Sequence, residues 1–150
     1  MSEKAERRAI EAAVTHEVSV EVRYKETDAQ GVVHHSNYIV WFELARTGLC
    51  SLSGHHYADV ENLGYFLMVT RTEARYLKGA RYGDVVTVAC RIEKLTSRGI
   101  RFAYDVTKDG EALASGATEH IWVNRETGRP CRTPEILRQP FRRLAGVGDS

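Results

Sequence analysis

The stretch from Tyr24 to Tyr38, which reads YKETDAQGVVHHSNY, decides how this chain folds and where its chemistry lies. Gly31 follows Asp28 closely, and glycine accepts backbone dihedrals that other residues resist, so the sequence predicts a tight turn. Ser36 or Asn37 is then expected to cap a helix, because such side chains accept hydrogen bonds from the first N–H groups. The exposed N–H groups of a helix start form a small positive pole near the Asp28 carboxylate.

The helix expected after Asn37 carries a broad apolar stripe at spacings of three and four residues. Its members are Tyr38, Trp41, Phe42, Ala45, Leu49 and Leu52. Gly48 lies inside this helix and should weaken it by about 1 kcal/mol relative to alanine. A close approach of the helix backbone to a sheet would explain that glycine, and a tolerated weak point explains it equally well.

Strand patterns account for most of the remaining chain. Apolar and polar residues alternate from Val18 to Tyr24, and again over 86–92 and 100–106, which is typical of half-buried strands. Lys108-Asp109-Gly110 predicts a hairpin turn that leads into a strand from about Glu111 to Val123. Together these patterns predict an α+β domain in which a five-stranded antiparallel sheet wraps around one long central helix.

The two ends of the chain are expected to be additions to a single domain that spans 1–150. We expect residues 1–16 to form an N-terminal extension with a short helix over 4–14, and 134–150 to form a C-terminal helix and tail. Pro134 suits the first position of that last helix. Pro140 should limit or kink it.

Composition narrows the function classes. The 150 residues carry a formal net charge of +1, so no overall field favours nucleic acid. No window approaches the run of about 20 apolar residues that a membrane span needs. The three cysteines are far apart and odd in number, which fits reduced thiols better than a disulfide framework. We therefore expect a soluble, cytoplasmic protein.

The residues of the opening stretch resemble the motif of the 4-hydroxybenzoyl-CoA thioesterase family, particularly the YbgC-like acyl-CoA thioesterases, which have the hotdog fold. The matching positions are Thr27, Asp28, Gly31, Val32, Val33, His35 and Tyr38. Similar segments over 41–46 and 76–84 extend the resemblance to about residues 17–125. Glu21 departs from the family pattern, which expects glutamine or arginine there.

The resemblance implies hydrolysis of an acyl or aroyl thioester of coenzyme A or of acyl carrier protein. Asp28 would act as nucleophile or general base, and the backbone N–H of His35 would hold the carbonyl oxygen. The choice between the two roles of Asp28 stays open. The His35 imidazole is either a further acid or orienting group or an ordinary polar side chain. No cofactor is expected, because coenzyme A is part of the substrate.

Several further residues are expected to contact substrate. Gly31 and Val33 belong to the motif, and Tyr38 and Trp41 would contact the acyl group, although core packing is the alternative for both aromatic residues. Arg98 is the first candidate for the nucleotide of coenzyme A and Arg101 the second, with ordinary surface arginines as the alternative.

The resemblance also implies partner subunits, and two other functions compete with hydrolysis. The resemblance implies subunits joined edge to edge through their sheets, as a homodimer or a homotetramer built from two dimers. A non-enzymatic acyl-CoA-binding protein and a hydratase or dehydratase of the same fold are the competing functions. The pairs His34-His35 and His55-His56 do not predict a metal site, because adjacent side chains diverge.

Overall fold

The computed structural model describes residues 13–147. The elements in chain order are β1 (His16–Glu21), a 3-10 turn (Tyr24–Glu26), α1 (Ser36–Ser51), α2 (Tyr57–Asn62), β2 (Tyr65–Tyr76), β3 (Val85–Leu95), β4 (Gly99–Lys108), β5 (Glu111–Asn124), β6 (Pro130–Cys131) and α3 (Glu135–Leu144). The helix expected over 4–14 falls almost entirely outside the described residues.

The strands form one antiparallel sheet in the order β1-β3-β4-β5-β2. This confirms the five predicted strands, and the short strand β6 is an addition that pairs with the end of β5. The addition arises because the turn after β5 folds back tightly, with the N–H of Asn124 donating to the carbonyl of Arg129 at 2.9 Å. The predicted hairpin is also present: Asp109 and Gly110 both have positive φ angles, of 49° and 80°.

Helix α1 lies against the inner face of the sheet, and its apolar stripe from Tyr38 to Leu49 forms the centre of the core. Leu52, which was expected to belong to the stripe, follows the end of the helix and is 54% exposed. Phe42 is fully buried and stacks on Tyr104 of β4 with ring centroids 4.4 Å apart. Gly116 of β5 allows this contact, because a Cβ there would lie 2.5 Å from the Phe42 ring. A long helix buried in a curved antiparallel sheet is the hotdog architecture, so the predicted fold class is confirmed.

Gly48 marks a second close approach, between α1 and β1. A Cβ added at Gly48 would lie 2.2 Å from Nε2 of His16. The first of the two explanations for this glycine is therefore the one the structure supports. The missing side chain makes room for the imidazole of the edge strand.

The expected cap of α1 was wrong. Neither Ser36 nor Asn37 caps α1: the helix begins at Ser36, His35 precedes it in a helical conformation, and His35 forms no side-chain cap. The two side chains are engaged elsewhere, since Ser36 Oγ pairs with His34 Nδ1 at 2.8 Å and Asn37 Nδ2 donates to the Glu26 carbonyl at 3.1 Å. Pro140 does not limit α3, which continues to Leu144, and the buried side chains in its last turn explain this continuation. A kink at Pro140, the other expectation, stays a prediction.

Candidate active site

The turn that carries Asp28 is fixed by its own backbone. The N–H of Asp28 donates to the carbonyl of Val32 at 2.8 Å, and the N–H of Gly31 donates back to the carbonyl of Asp28 at 3.0 Å. Gly31 has a φ of +79°, the left-handed conformation that the sequence predicted for it. Val32 also bridges to Arg81, which ties the turn to the segment before β3.

The carboxylate of Asp28 is held by one of its oxygens only. Oδ1 accepts hydrogen bonds from the N–H of Gln30 at 2.8 Å and of Val32 at 3.4 Å. Oδ2 has no hydrogen-bond partner among residues 13–147, and no ion pair within those residues involves Asp28. The side chain is exposed. One oxygen thus orients the carboxylate while the other stays available to a ligand or a water molecule.

The start of α1 supplies a backbone donor. The N–H of Asn37 donates to the carbonyl of His34 at 3.0 Å, and the N–H of Tyr38 donates to the carbonyl of His35 at 3.2 Å. The N–H of His35 itself has no acceptor within the described part of the chain. An unpaired N–H at a helix start is the kind of group that stabilises a developing negative charge on oxygen.

Asp28 and His35 line the same open groove, whose volume is about 380 Å³. Val33, Tyr38 and Tyr76 also line it. Tyr38 is almost fully buried, and its hydroxyl accepts a hydrogen bond from the N–H of Ala80 at 3.2 Å. The groove therefore brings Asp28 and His35 together beside aromatic and aliphatic residues.

Glu26, which the sequence analysis did not single out, links the Asp28 turn to α1 through hydrogen bonds. Its buried carboxylate accepts hydrogen bonds from the N–H of Arg23 at 2.7 Å and from Nε1 of Trp41 at 3.3 Å. Its carbonyl accepts the N–H of His34 at 2.8 Å. Burial alone would raise the pKa of Glu26, but the hydrogen bonds from Arg23 and Trp41 hold this pKa below its usual value.

Tyr76 is a second residue that the sequence did not single out. Its hydroxyl donates to the carbonyl of His35 at 3.2 Å, and its ring packs edge-on against Tyr38 at 5.1 Å. Partial burial, with Tyr38 nearby, raises the pKa of Tyr76 and keeps the hydroxyl protonated. Only the alternation of β2 hinted that this side chain faces the helix, and its partner is 41 residues away in sequence.

Comparison with known proteins assigns the chain to a family. The family model described as the thioesterase-like superfamily matches residues 22–141, which is well over half of the chain. The chain belongs to the thioesterase-like superfamily. This confirms the predicted family and the prediction of a thioester hydrolase.

Relatives of this thioesterase-like chain are similar over most of their length. A putative acyl-CoA thioesterase, YneP, of Bacillus subtilis is 35% identical over 112 residues, which are 74% of this chain and 81% of the relative. A DHNA-CoA thioesterase of Staphylococcus aureus superposes with a TM-score of 0.76 at 35% identity, covering 79% of this chain and 80% of that one. A Thermus thermophilus thioesterase solved with coenzyme A and Zn has a TM-score of 0.75 at 30% identity, covering 89% and 96%.

The predicted acyl contacts of the thioesterase-like chain divide into two groups. Val33 and Tyr38 line the groove with Asp28, and Gly31 shapes the turn beside it. Trp41 is not brought to the groove, because it is 1% exposed and its indole N–H is bound by Glu26. The geometry therefore favours the core-packing alternative for Trp41.

The two predicted nucleotide contacts also differ. Arg98 is exposed in the β3–β4 hairpin and does not line the Asp28 groove of its own chain. Arg101 lies on the outer face of the sheet, where its guanidinium binds Glu73 and also pairs with Glu93 and Glu119 at 3.5 and 3.2 Å. The guanidinium of Arg101 is therefore already paired with three carboxylates, and Arg101 does not line the Asp28 groove.

Over residues 13–147, no group of three or more histidine, cysteine or acidic side chains is close enough to hold a metal ion. None of the helices in this part of the chain combines the length and the apolar character that crossing a membrane would need.

Proposed function

We propose that this protein hydrolyses acyl thioesters of coenzyme A at the groove between Asp28 and the start of α1. The observation that carries the proposal is that Asp28, whose Oδ2 has no partner among residues 13–147, and His35, whose N–H has none there either, line the same cavity. A thioester carbonyl placed there would meet an attacking or activating oxygen and a donor for its own oxygen.

Either of two mechanisms fits this geometry. Asp28 attacks the carbonyl carbon, the C–S bond breaks with release of the thiolate, and water hydrolyses the resulting anhydride. Alternatively, Asp28 takes a proton from a water molecule that attacks the same carbon. In both, the N–H of His35 holds the oxygen that becomes negative. The proposed chemistry uses only groups of the chain and water, so no cofactor beyond the substrate's coenzyme A is needed.

The substrate proposal has support from the relatives. One carries the name of an acyl-CoA thioesterase, and a second was solved in complex with coenzyme A. Arg98 is the proposed contact to the nucleotide, and the His35 imidazole is proposed to act as an acid or to orient Asp28. An acyl carrier protein presents its acyl group as a thioester on the same pantetheine arm as coenzyme A, so an acyl carrier protein substrate stays an alternative.

A homodimer formed through β2 is part of this proposal. β2 is the terminal strand on its side of the described sheet and carries the exposed apolar residues Phe66, Met68 and Val69. An open, apolar strand edge would otherwise be free to pair with other chains. Pairing of two such dimers into a tetramer is a further proposal, as is a cytoplasmic location, which the free thiols of Cys50 and Cys90 would suit.

The test is hydrolysis of a broad panel of acyl-CoA thioesters, in which the release of free thiol measures the rate. The wild-type protein should hydrolyse at least one member, and Asp28→Asn should lose most of that rate. Asp109→Asn is the matched control, because it makes the same change at an exposed hairpin turn that does not line the groove. Equal rates for wild-type protein and Asp28→Asn would remove Asp28 from the reaction. Recovery of intact bound thioester would favour the acyl-CoA-binding alternative.

A further inference from the structure

His34 has no part in the proposed hydrolysis, yet its backbone and its side chain both hold the start of α1. Its N–H donates to the carbonyl of Glu26 at 2.8 Å. Its own carbonyl accepts the N–H of Asn37 at 3.0 Å and Nδ2 of the same residue at 3.2 Å. In the side chain, Nδ1 lies 3.3 Å from the backbone nitrogen of Ser36 and 2.8 Å from Ser36 Oγ.

These contacts set the direction of the N–H that is proposed to bind the substrate oxygen. The carbonyl of His34 and the N–H of His35 belong to one planar peptide group and point in opposite directions. Because Asn37 fixes that carbonyl, it also fixes the line along which the N–H of His35 points. The bond from Ser36 to the imidazole holds the next peptide group along the chain. His35 is therefore held on both sides.

The same geometry assigns the proton on the imidazole of His34. A backbone N–H can only donate, so the N–H of Ser36 requires a lone pair on Nδ1. The ring proton of neutral His34 then lies on Nε2, and the Ser36 hydroxyl also donates to Nδ1. A proton added at Nδ1 would remove the acceptor of the Ser36 N–H. Imidazole is the side chain that gains its charge between about pH 8 and about pH 5.

The imidazoles of His34 and His35 were expected to diverge, but they stack, with ring centroids 4.2 Å apart and ring planes at 30°. The His34 ring thereby restrains the His35 ring, and His35 lines the groove. A positive charge on one ring disfavours a positive charge on the other. His34 is therefore placed to act on both the backbone donor and the imidazole of His35.

No carboxylate among residues 13–147 forms an ion pair with either ring. The titratable residues around the pair line the groove or bind the backbone of the pair, namely Glu26, Asp28, Tyr38, Tyr76 and Lys78. All of these residues stay the same when position 34 is substituted. Their titration therefore cancels when the rates of two such proteins are compared at one pH.

We infer that His34 is a positioning residue of the proposed active site, whose neutral imidazole holds the first turn of α1 and whose protonation releases it. Hydrolysis should slow when His34 gains its proton, because His35 loses alignment and not because Asp28 changes. This inference rests on the proposed function. It goes beyond that function because His34 does not line the groove in which the thioester is proposed to react.

Two substitutions separate the acceptor of His34 from its charge. His34→Asn keeps an acceptor, since an asparagine side chain binds the N–H two residues on, and it cannot gain a proton. His34→Phe keeps a ring beside His35 and has no acceptor. His56→Phe is the matched control, at an exposed histidine that does not line the groove. Position 34 is exposed, so each variant should unfold at the temperature of the wild type.

The comparison measures kcat on the best thioester at about pH 7.5 and about pH 5.5, on the two sides of the imidazole titration. At the higher pH, His34→Asn should match the wild type. His34→Phe should be about fivefold slower there, because one hydrogen bond at the helix start is lost. At the lower pH the wild type should fall to the rate of His34→Phe, and His34→Asn should be about fivefold faster than both.

A measurement that needs no catalysis tests the contact itself. Nitrogen-15 NMR distinguishes an imidazole nitrogen that bears a proton from one that does not. In the unliganded wild type at about pH 8, where imidazole is neutral, Nδ1 of His34 should lack a proton and Nε2 should carry one. The spectrum of His34→Asn identifies which signals belong to His34.

The outcomes separate this inference from the proposed function. A proton on Nδ1 of neutral His34 would overturn the inference, because the N–H of Ser36 would have no acceptor there. The same ratio of wild type to His34→Asn at both pH values would also overturn it, as would equal rates of wild type and His34→Phe at the higher pH. A protein that hydrolyses no thioester would overturn the proposed function, and the NMR result would still decide whether His34 holds Ser36.

Discussion

The hydroxyl of Tyr76 donates a hydrogen bond to the carbonyl oxygen of His35 over 3.2 Å, which ties the edge strand to the first turn of the central helix. The same carbonyl accepts the N–H of Tyr38 at 3.2 Å. Two donors thus hold the residue whose N–H is proposed to bind the substrate oxygen. Tyr76 is in this sense a positioning residue.

Tyr76→Phe should lower kcat by about tenfold, which corresponds to a hydrogen bond worth about 1.4 kcal/mol. KM should change less than kcat, because the ring that lines the groove remains. Steady-state kinetics on the best thioester would measure both parameters. Tyr82→Phe, at an exposed tyrosine, is the matched control. An unchanged kcat for Tyr76→Phe would show that His35 is positioned without this bond.

Comparison of sequence and structure shows what local patterns can predict. The Gly31 turn and the stripe of α1 depend on neighbours within a few residues, and both were predicted. The bonds from Glu26 to Trp41 and from Tyr76 to His35 join residues 15 and 41 positions apart. No spacing rule reveals such pairs, so Trp41 was expected at the substrate although Glu26 holds it in the core.

Glu26→Gln should destabilise the fold by about 1–3 kcal/mol, because an amide group would face the donors of Arg23 and Trp41 and leave a buried group unpaired. Urea unfolding at neutral pH would measure this change in the free energy of unfolding. Trp41→Phe removes only one of the two donors to Glu26. The part of its destabilisation that comes from lost Glu26 hydrogen bonds should therefore be smaller than in Glu26→Gln. A Glu26→Gln protein as stable as wild type would contradict the structural role of this carboxylate.

His120 should make the folded state sensitive to mild acid. The side chain is 2% exposed, Nε2 pairs with Thr118 Oγ1 at 2.8 Å and Nδ1 has no partner within the described residues. Burial, with the positive charge of Arg46 nearby, lowers the pKa of His120 from 6.5 to about 3. Below pH 6.5 the unfolded chain therefore binds a proton that the folded chain refuses, so stability falls as the pH drops towards 3.

The contribution of His120 is measured by urea unfolding of wild type and His120→Gln between about pH 7 and pH 5. The free energy of unfolding of the wild type should fall more steeply, by up to about 1.4 kcal/mol per pH unit relative to the variant. Identical slopes for the two proteins would show that His120 titrates normally in the fold.

Gly116→Ala should destabilise the domain by about 1–3 kcal/mol through overpacking. The added Cβ would lie 2.5 Å from the Phe42 ring and 2.6 Å from the carbonyl oxygen of Glu73. Neither neighbour can move freely, since Phe42 is fully buried and the other atom belongs to the backbone of β2. Thermal unfolding would measure the change, with Ser115→Ala at the neighbouring half-buried position as control. Equal stability of both variants would mean that the helix can shift away from the sheet.

The central claim is that Asp28 and the N–H of His35 act on one carbonyl group, and a crystal structure of Asp28→Asn with a bound acyl-CoA tests it most directly. We expect the thioester oxygen about 2.7–3.1 Å from the nitrogen of His35. We also expect the carbonyl carbon about 3–3.5 Å from the side chain at position 28, or one water molecule farther away. A thioester bound outside the groove, or with its oxygen directed away from the start of α1, would contradict the account.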